Sequence, residues 1–150
     1  MAKQYEKSSW GIVYRKKNNT IEILLLKWIN SRNKEELVIP KWKIEAWEVA
    51  KDTALREIAE EAGLDEKYLE IIKFVTKLNY TYTAGYLKNT PLIDKDVYLF
   101  IVKYTGDDEP VVRKEERFVW YDWIDIEDIP DLSVRFDLAG IIYRNKPYFT

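Results

Sequence analysis

Residues 42–64 read WKIEAWEVAKDTALREIAEEAGL and predict a loop that runs into an amphipathic helix over residues 51–62. Four apolar side chains fall on one side of that helix at the 3.6-residue period: Leu55, Ile58, Ala59 and Ala62. Gly63 follows where a left-handed residue commonly ends a helix. The segment therefore predicts a helix that packs one face on a core and ends at a defined residue.

Three carboxylates lie on another side of this helix. Glu57, Glu60 and Glu61 are spaced i, i+3 and i+4, which places them together and away from the apolar face. Like charges at this spacing cost roughly 0.2–0.5 kcal/mol per pair, and acidic groups near a helix C-terminus cost about 0.3–1 kcal/mol each. A divalent cation would reverse that penalty, with Arg56 paired to Glu48 in support. The alternative is a plain solvated acidic face.

The 150 residues contain neither histidine nor cysteine. Their absence excludes Ser-His-Asp and Cys-His catalysis, imidazole-bound zinc or copper, and disulfide bonds. A metal would have oxygen ligands, which favours Mg²⁺ or Mn²⁺. Acid–base chemistry would fall to carboxylate, Lys or Tyr side chains.

Charge and hydropathy narrow the expected partners. The net charge is −2 and both signs are interspersed, so we expect no binding to duplex nucleic acid or to an anionic membrane. The chain has no apolar run long enough to span a bilayer, and MAKQYEKSSW lacks an apolar signal core. We expect a cytoplasmic protein, and its oligomeric state stays open.

The remaining pattern predicts one domain over residues 1–150. Strands are expected where β-branched and aromatic residues cluster, at residues 10–17, 21–28, 36–39, 69–83 (as one strand or two), 96–104 and 116–122. Asn18 and Asn19 predict a hairpin turn between the first two. A short helix over 125–129 and a final helix over 132–144 complete the prediction. Strands interleaved with helices indicate an α/β sandwich with a mixed sheet.

The spacing of the polar residues carries a family resemblance. Glu48 is followed after seven residues by Arg56-Glu57-Ile58-x-Glu60-Glu61-x-Gly63-Leu64. This pattern resembles the signature of the Nudix hydrolases, and every fixed position matches except the first, where Trp42 replaces glycine. The resemblance implies an α/β/α sandwich. It also implies Mg²⁺-dependent hydrolysis of a pyrophosphate linkage in a nucleoside diphosphate derivative.

The resemblance assigns roles by position. Glu57, Glu60 and Glu61 would ligate the metal, with Arg56 and Glu48 as the supporting pair. A further carboxylate, acting as ligand or base, would come from the loop before a late strand, where Glu115 and Glu116 are the candidates. The alternative for this second pair is a solvated loop.

The residues expected to contact the substrate are assigned from less specific sequence signals. Lys43 and Lys95 could meet phosphates, although exposed lysines usually have no such role. Tyr80 and Tyr82 resemble the tyrosine of the branch that cleaves dinucleoside polyphosphates, where it stacks on a base. The alternative is that both tyrosines simply share one side of a strand. Nucleoside triphosphates and RNA 5′ ends stay open as substrates.

Three tryptophans depart from the family pattern. Trp42 and Trp47 replace loop glycines, and Trp10 stands where a small residue is common. Tryptophan in a left-handed conformation would cost about 1–2 kcal/mol. One hypothesis is that these are UGA codons meant as glycine in the source, which UGG at codons 10, 42 and 47 would refute. The other is a divergent or engineered loop that accommodates Trp. The alternative function is therefore a catalytically impaired Nudix-fold module that binds nucleotides or another partner.

Overall fold

The computed structural model describes residues 3–44, 50–83, 91–130, 132 and 136–150. The strands are β1 (Lys3–Lys17), β2 (Thr20–Ile29), β3 (Glu35–Val38), β4 (Lys41–Lys43), β5 (Leu69–Thr83), β6 (Leu92–Tyr104) and β7 (Phe118–Asp125). The helices are α1 (Ala50–Ala62) and α2 (Leu138–Arg144), with short 3₁₀ turns between some of these elements. Within these residues, neither helix has the length and apolarity needed to cross a membrane.

The sheet is mixed, as the sequence predicts. Its main path runs β3-β2-β1-β6-β5, while β4 pairs with β1 and β7 pairs with β2. The neighbours β1 and β6 are parallel, and the other pairings are antiparallel. The hairpin between β1 and β2 turns at Asn18 and Asn19, whose φ values of 50° and 65° match the left-handed turn that asparagine tolerates.

One helix covers each face of the sheet. Ala54, Ile58 and Ala62 of α1 pack on one buried cluster, with Val13, Leu24, Leu26 and Val102 among its strand residues. Leu138, Ile141 and Ile142 of α2 pack on the other, with Ile12, Tyr14, Leu99 and Ile101. Successive side chains of β1 therefore enter different cores, because a strand alternates its faces. The α/β/α sandwich is confirmed.

Three elements differ from the sequence prediction. Strand β1 begins at Lys3 rather than at residue 10, and β4 occupies part of the segment predicted as a loop, because both gain pairing partners along β1 and β6. The final helix begins at Leu138 rather than at residue 132, because Asp137 caps it by accepting a hydrogen bond from the Gly140 amide at 2.9 Å. Leu132 and Phe136 still pack against the core from outside the helix, and residues 133–135 lie outside the described residues. Residues 69–83 form one strand, whose pairing shifts between Ile71 and Lys73 explain its imperfect alternation.

Candidate active site

The C-terminal end of α1 is fastened to the loop that precedes β7. Gly63 has φ +65°, and a Cβ added there would lie 2.4 Å from the Val111 carbonyl oxygen. The Val111 amide also donates to the Ala62 carbonyl at 2.8 Å. Glycine is required at residue 63 both for its backbone conformation and for this close approach, and the contact brings the loop over residues 109–117 against the acidic end of the helix.

Glu61 is a buried carboxylate in an unfavourable environment. Its side chain is 7% exposed, and its Oε1 has no hydrogen-bond partner among the described residues. Burial raises the pKa of Glu61 from 4.5 to about 8, partly offset by the Lys41 backbone amide, and the charges of Glu116 and Glu57 raise it further. The charge of Lys41 favours the ionised form of Glu61, whereas burial and the two carboxylates oppose it more strongly. A metal ion beside Glu61 would add the positive charge that an ionised, buried carboxylate needs.

The other acidic residues of α1 are more exposed and are held by Arg56. The Arg56 guanidinium lies 3.0 Å from Glu57 Oε1 and 3.9 Å from Glu60 Oε1. The predicted pairing of Arg56 with Glu48 stays untested, because Glu48 lies outside the described residues. Across the described ranges, no three acidic side chains already converge closely enough to hold an ion. Glu57 and Glu60 would have to turn from Arg56 toward Glu61 to share a cation.

Of the two loop carboxylates, Glu116 is the one that acts on Glu61. Both residues belong to the 3₁₀ turn Lys114–Glu116, and the negative charge of Glu116 is among the causes that raise the pKa of Glu61. Arg113 lies 3.6 Å from Glu116 Oε1. The next residue, Arg117, has φ 68° and donates to the Ile29 and Asn30 carbonyls at 2.8 and 2.9 Å. Arg117 therefore anchors this turn to the end of β2.

Lys41 connects the acidic end of α1 with the opposite face of the sheet. Its backbone amide interacts with the Glu61 carboxylate, while its Nζ lies 5.2 Å from the centre of the Trp10 ring. Strand β4 is held here by pairing Trp10 with Lys41, Ser9 with Trp42 and Ser8 with Lys43. The sequence analysis missed Lys41, although its position beside the signature segment was an available signal.

The four predicted substrate-contact residues lie together on the α2 side of the sheet. Lys43 and Lys95 each place Nζ 3.8 Å from a carboxylate oxygen of Glu6, and the Tyr82 hydroxyl donates to Glu6 at 3.3 Å. The Tyr80 ring lies 5.7 Å from the Tyr82 ring, tilted by 34°. Glu6 was also missed, and no local sequence signal marks it, because its partners come from β4, β5 and β6.

Trp10 is part of the core rather than an obstruction at the surface. Its side chain is 5% exposed, its ring contacts Phe136 and Tyr80 at 5.9 and 6.5 Å, and its Nε1 has no partner within the described structure. A cavity of about 70 Å³ adjoins it, lined by Trp10, Val38, Ile39, Lys41, Tyr80, Leu132 and Leu138. This cavity is much smaller than the usual ligand pocket of about 300–1,000 Å³.

The backbone strain expected at the tryptophans is absent where it can be examined. Trp10 and Trp42 lie in paired strands β1 and β4, and neither is among the described residues with positive φ. The expectation of left-handed strain at these two positions was therefore wrong, because both are extended. Trp47 lies outside the described residues, and the UGA hypothesis stays a prediction.

Comparisons with known proteins show the family and the fold of this chain. The Zymomonas mobilis subsp. mobilis RNA pyrophosphohydrolase is 28% identical over 138 residues, covering 87% of this chain and 86% of that protein. A C. elegans Ap4A hydrolase binary complex superposes with a TM-score of 0.73 at 20% identity, over 95% of this chain and 96% of the other. The E. coli dihydroneopterin triphosphate pyrophosphohydrolase gives 0.69 at 15% identity, over 94% and 96%. The NUDIX domain family profile matches residues 6–144, and the chain therefore belongs to that family.

Proposed function

We propose that this protein is a Mg²⁺-dependent pyrophosphohydrolase that acts on a dinucleoside polyphosphate or a nucleoside triphosphate. The observation that carries the proposal is the buried Glu61 carboxylate, whose Oε1 lacks a partner within the described residues while Glu57 and Glu116 add negative charge around it. Burying such a group is costly unless a cation compensates it. A purely structural role would be served better by an apolar side chain.

The carboxylates of α1 suit a divalent cation by their chemistry, although Glu57 and Glu60 would first have to turn toward Glu61. Glu57, Glu60 and Glu61 would hold Mg²⁺ or Mn²⁺, because hard cations prefer carboxylate oxygens. Bound there, the metal offsets charge on the pyrophosphate oxygens and lowers the pKa of the attacking water. Arg56, 3.0 Å from Glu57, would orient that carboxylate, and Glu48 would complete the supporting pair.

The side chains of the chain itself supply binding and proton transfer. Lys43, Lys95 and Tyr82 would hold the phosphates that do not react. Glu116 would accept the proton that water loses as its oxygen bonds to phosphorus, and the P–O bond of the pyrophosphate would break toward the leaving phosphate. Glu116 is preferred over Glu115 because its charge acts on Glu61. Tyr80 would support the Tyr82 ring from 5.7 Å.

The relatives suggest which substrates to compare. One similar fold is an Ap4A hydrolase and one similar sequence is an RNA pyrophosphohydrolase. A panel should therefore contain a dinucleoside polyphosphate, a nucleoside triphosphate and a 5′-triphosphorylated RNA. A single-stranded RNA end remains compatible with the lack of a broad basic surface expected from the sequence. A cytoplasmic location stays a prediction.

The test is phosphate or nucleotide release from that panel, with and without Mg²⁺. We expect turnover to require the metal and to fall at least about 10³-fold in Glu61→Gln, since both the metal and its charge compensation are lost. Glu66→Gln is the matched control, because Glu66 is an exposed acid in the turn that follows α1. Equal turnover in Glu61→Gln and the parent chain would exclude the proposed role.

The second candidate is a nucleotide-binding or interaction module whose catalysis is impaired by Trp42 and Trp47. The panel should therefore be repeated with Trp42→Gly/Trp47→Gly. Turnover restored only in that variant would mean that these tryptophans block an otherwise complete site. Metal binding without turnover in either form would favour the binding module.

A further inference from the structure

Glu6 lies at the centre of the basic group on the α2 side of the sheet. Its Cα pairs with that of Lys95 in the parallel register between β1 and β6. One carboxylate oxygen lies 3.8 Å from Lys43 Nζ, and the other lies 3.8 Å from Lys95 Nζ and accepts the Tyr82 hydroxyl at 3.3 Å. Three side chains from three different strands therefore converge on one carboxylate.

The cluster combines two lysines and a tyrosine hydroxyl with one glutamate. The Lys95 and Glu6 side chains are each 19% exposed, whereas that of Lys43 is 59% exposed. One flank of the cluster is thus sheltered and the other is open to solvent. A phosphate group, with more negative charge than a carboxylate and three acceptor oxygens, matches this donor set better than Glu6 does.

We propose that Glu6 is an internal substitute for a phosphate group of the substrate. In the free protein it holds Lys43, Lys95 and the Tyr82 hydroxyl in place, and a phosphate entering from the Lys43 side displaces it from them. Glu6 is therefore a specificity-determining residue, because a ligand must carry enough negative charge to compete with a carboxylate already present. The inference rests on the proposed function for its substrate class.

The location of the cluster sets the path that a polyphosphate chain would follow. The Lys41 amide interacts with Glu61, and Lys43 lies two residues further along β4, roughly 7 Å away by the rise of a strand. Lys41 and Lys43 project to the same face of β4 for the same reason. A chain of phosphates that begins near the Glu61 carboxylate would have to pass around β4 to reach the Lys43 ammonium, because the Lys43 side chain lies on the α2 side of the sheet.

Displacement of Glu6 is physically easy. Contacts of 3.8 Å between partly exposed charged groups are weak and are screened by salt. Hydrogen bonds from lysine and tyrosine to phosphate oxygens are charge-assisted and shorter. Glu6 therefore competes measurably with a polyanion without excluding it.

The test measures binding of inorganic tripolyphosphate to the full chain in EDTA, by calorimetry at low salt, so that no metal or turnover is involved. We expect Glu6→Gln to bind about tenfold more tightly than the parent chain, since the amide keeps the shape but not the charge. Glu22→Gln is the matched control. It also raises the net charge by one unit, but Glu22 pairs with Arg15 at 2.8 Å, outside the Glu6 cluster. We expect this control to change binding less than twofold.

A second pair of variants localises the effect. Lys95→Met should weaken tripolyphosphate binding. Glu6→Gln should increase the affinity much less in the Lys95→Met background than in the parent chain. Circular dichroism checks that each variant folds, and Glu6→Asp, which keeps the charge, replaces Glu6→Gln as the test if the latter does not fold. In that case Glu6→Asp should bind within twofold of the parent chain.

Unchanged or weaker binding in Glu6→Gln, or an equal gain in Glu22→Gln, would overturn the inference. Absence of binding in every variant would overturn it as well. These outcomes are separate from the proposed function, which is tested by Mg²⁺-dependent turnover. If the protein shows no turnover but its Glu6→Gln variant binds tripolyphosphate more tightly, this inference stands and the proposed function fails.

Discussion

The acidic end of α1 and the basic cluster around Glu6 differ in how their charges are balanced. At the acidic end, Glu61 Oε1 has no partner within the described structure, and burial, with a smaller contribution from neighbouring carboxylates, raises the pKa of Glu61 to about 8. In the basic cluster, Lys43, Lys95 and Tyr82 already share an acceptor. A cation would offset the unfavourable burial of the Glu61 carboxylate in the first region. In the second region, the donors already bind a carboxylate that a ligand could displace. A metal and a polyphosphate would complete one region each.

The largest effect is expected from Glu61→Gln on the stability of the metal-free protein. Between its ordinary pKa of 4.5 and the folded value of about 8, the folded protein holds one more proton than the unfolded chain. The free energy of unfolding therefore falls as pH rises through this window, on the order of 5 kcal/mol in all. We expect Glu61→Gln to lack this loss and to be the more stable protein at pH 8.

Urea unfolding in EDTA at pH 5 and pH 8 measures this effect, with Glu66→Gln as the control. If the unfolding free energies of the parent chain and of Glu61→Gln depended on pH in the same way, the buried Glu61 carboxylate would not destabilise the folded protein. Added Mg²⁺ should stabilise the parent chain at pH 8 more than it stabilises Glu61→Gln.

A smaller loss of stability is expected from Gly63→Ala, about 2–3 kcal/mol. Alanine disfavours the left-handed conformation at φ +65°, and its Cβ would overlap the Val111 carbonyl oxygen. Gly63→Asn separates the two causes, because asparagine tolerates the backbone conformation but brings the same Cβ. Thermal unfolding of the three proteins compares them, and a Gly63→Ala protein as stable as the parent would show that the loop does not need this contact.

The next effect concerns the two loop carboxylates. Glu116→Gln should reduce kcat by about tenfold or more, because it removes the proposed proton acceptor. Glu115→Gln should change kcat less than twofold. Steady-state kinetics on the best substrate of the panel measures kcat for both variants. A larger loss of kcat in Glu115→Gln would mean that Glu115, rather than Glu116, is the proton acceptor.

The smallest effect on stability is expected in the basic cluster. Lys43→Met should change the free energy of unfolding by less than about 1 kcal/mol, since exposed ion pairs contribute little. Its KM for a polyphosphate substrate should nevertheless rise several-fold. A stability loss as large as that of Gly63→Ala would mean that Lys43 serves the fold rather than the ligand.

The difference between the two regions also explains how far the sequence could predict them. Glu57, Glu60 and Glu61 are within one turn of helix, so their grouping follows from residue spacing, and the family, the α/β/α sandwich and the helix ending at Gly63 were all predicted correctly. The start of α2 was not, because Leu132 and Phe136 have helical spacing but Asp137 caps the helix after them. The assigned metal, catalytic and substrate roles stay predictions.

Local spacing by itself determined the helix and its acidic side, since these depend on contacts between near neighbours in the chain. Only the tertiary structure decided that Glu116 rather than Glu115 acts on Glu61, that Trp10 belongs to the core, and that Glu6 receives Lys43, Lys95 and Tyr82. The position of Glu116 depends on the loop held against Gly63, and the other two depend on strand register. The physical reason is that pairing between distant segments, which residue order does not specify locally, sets which charges meet.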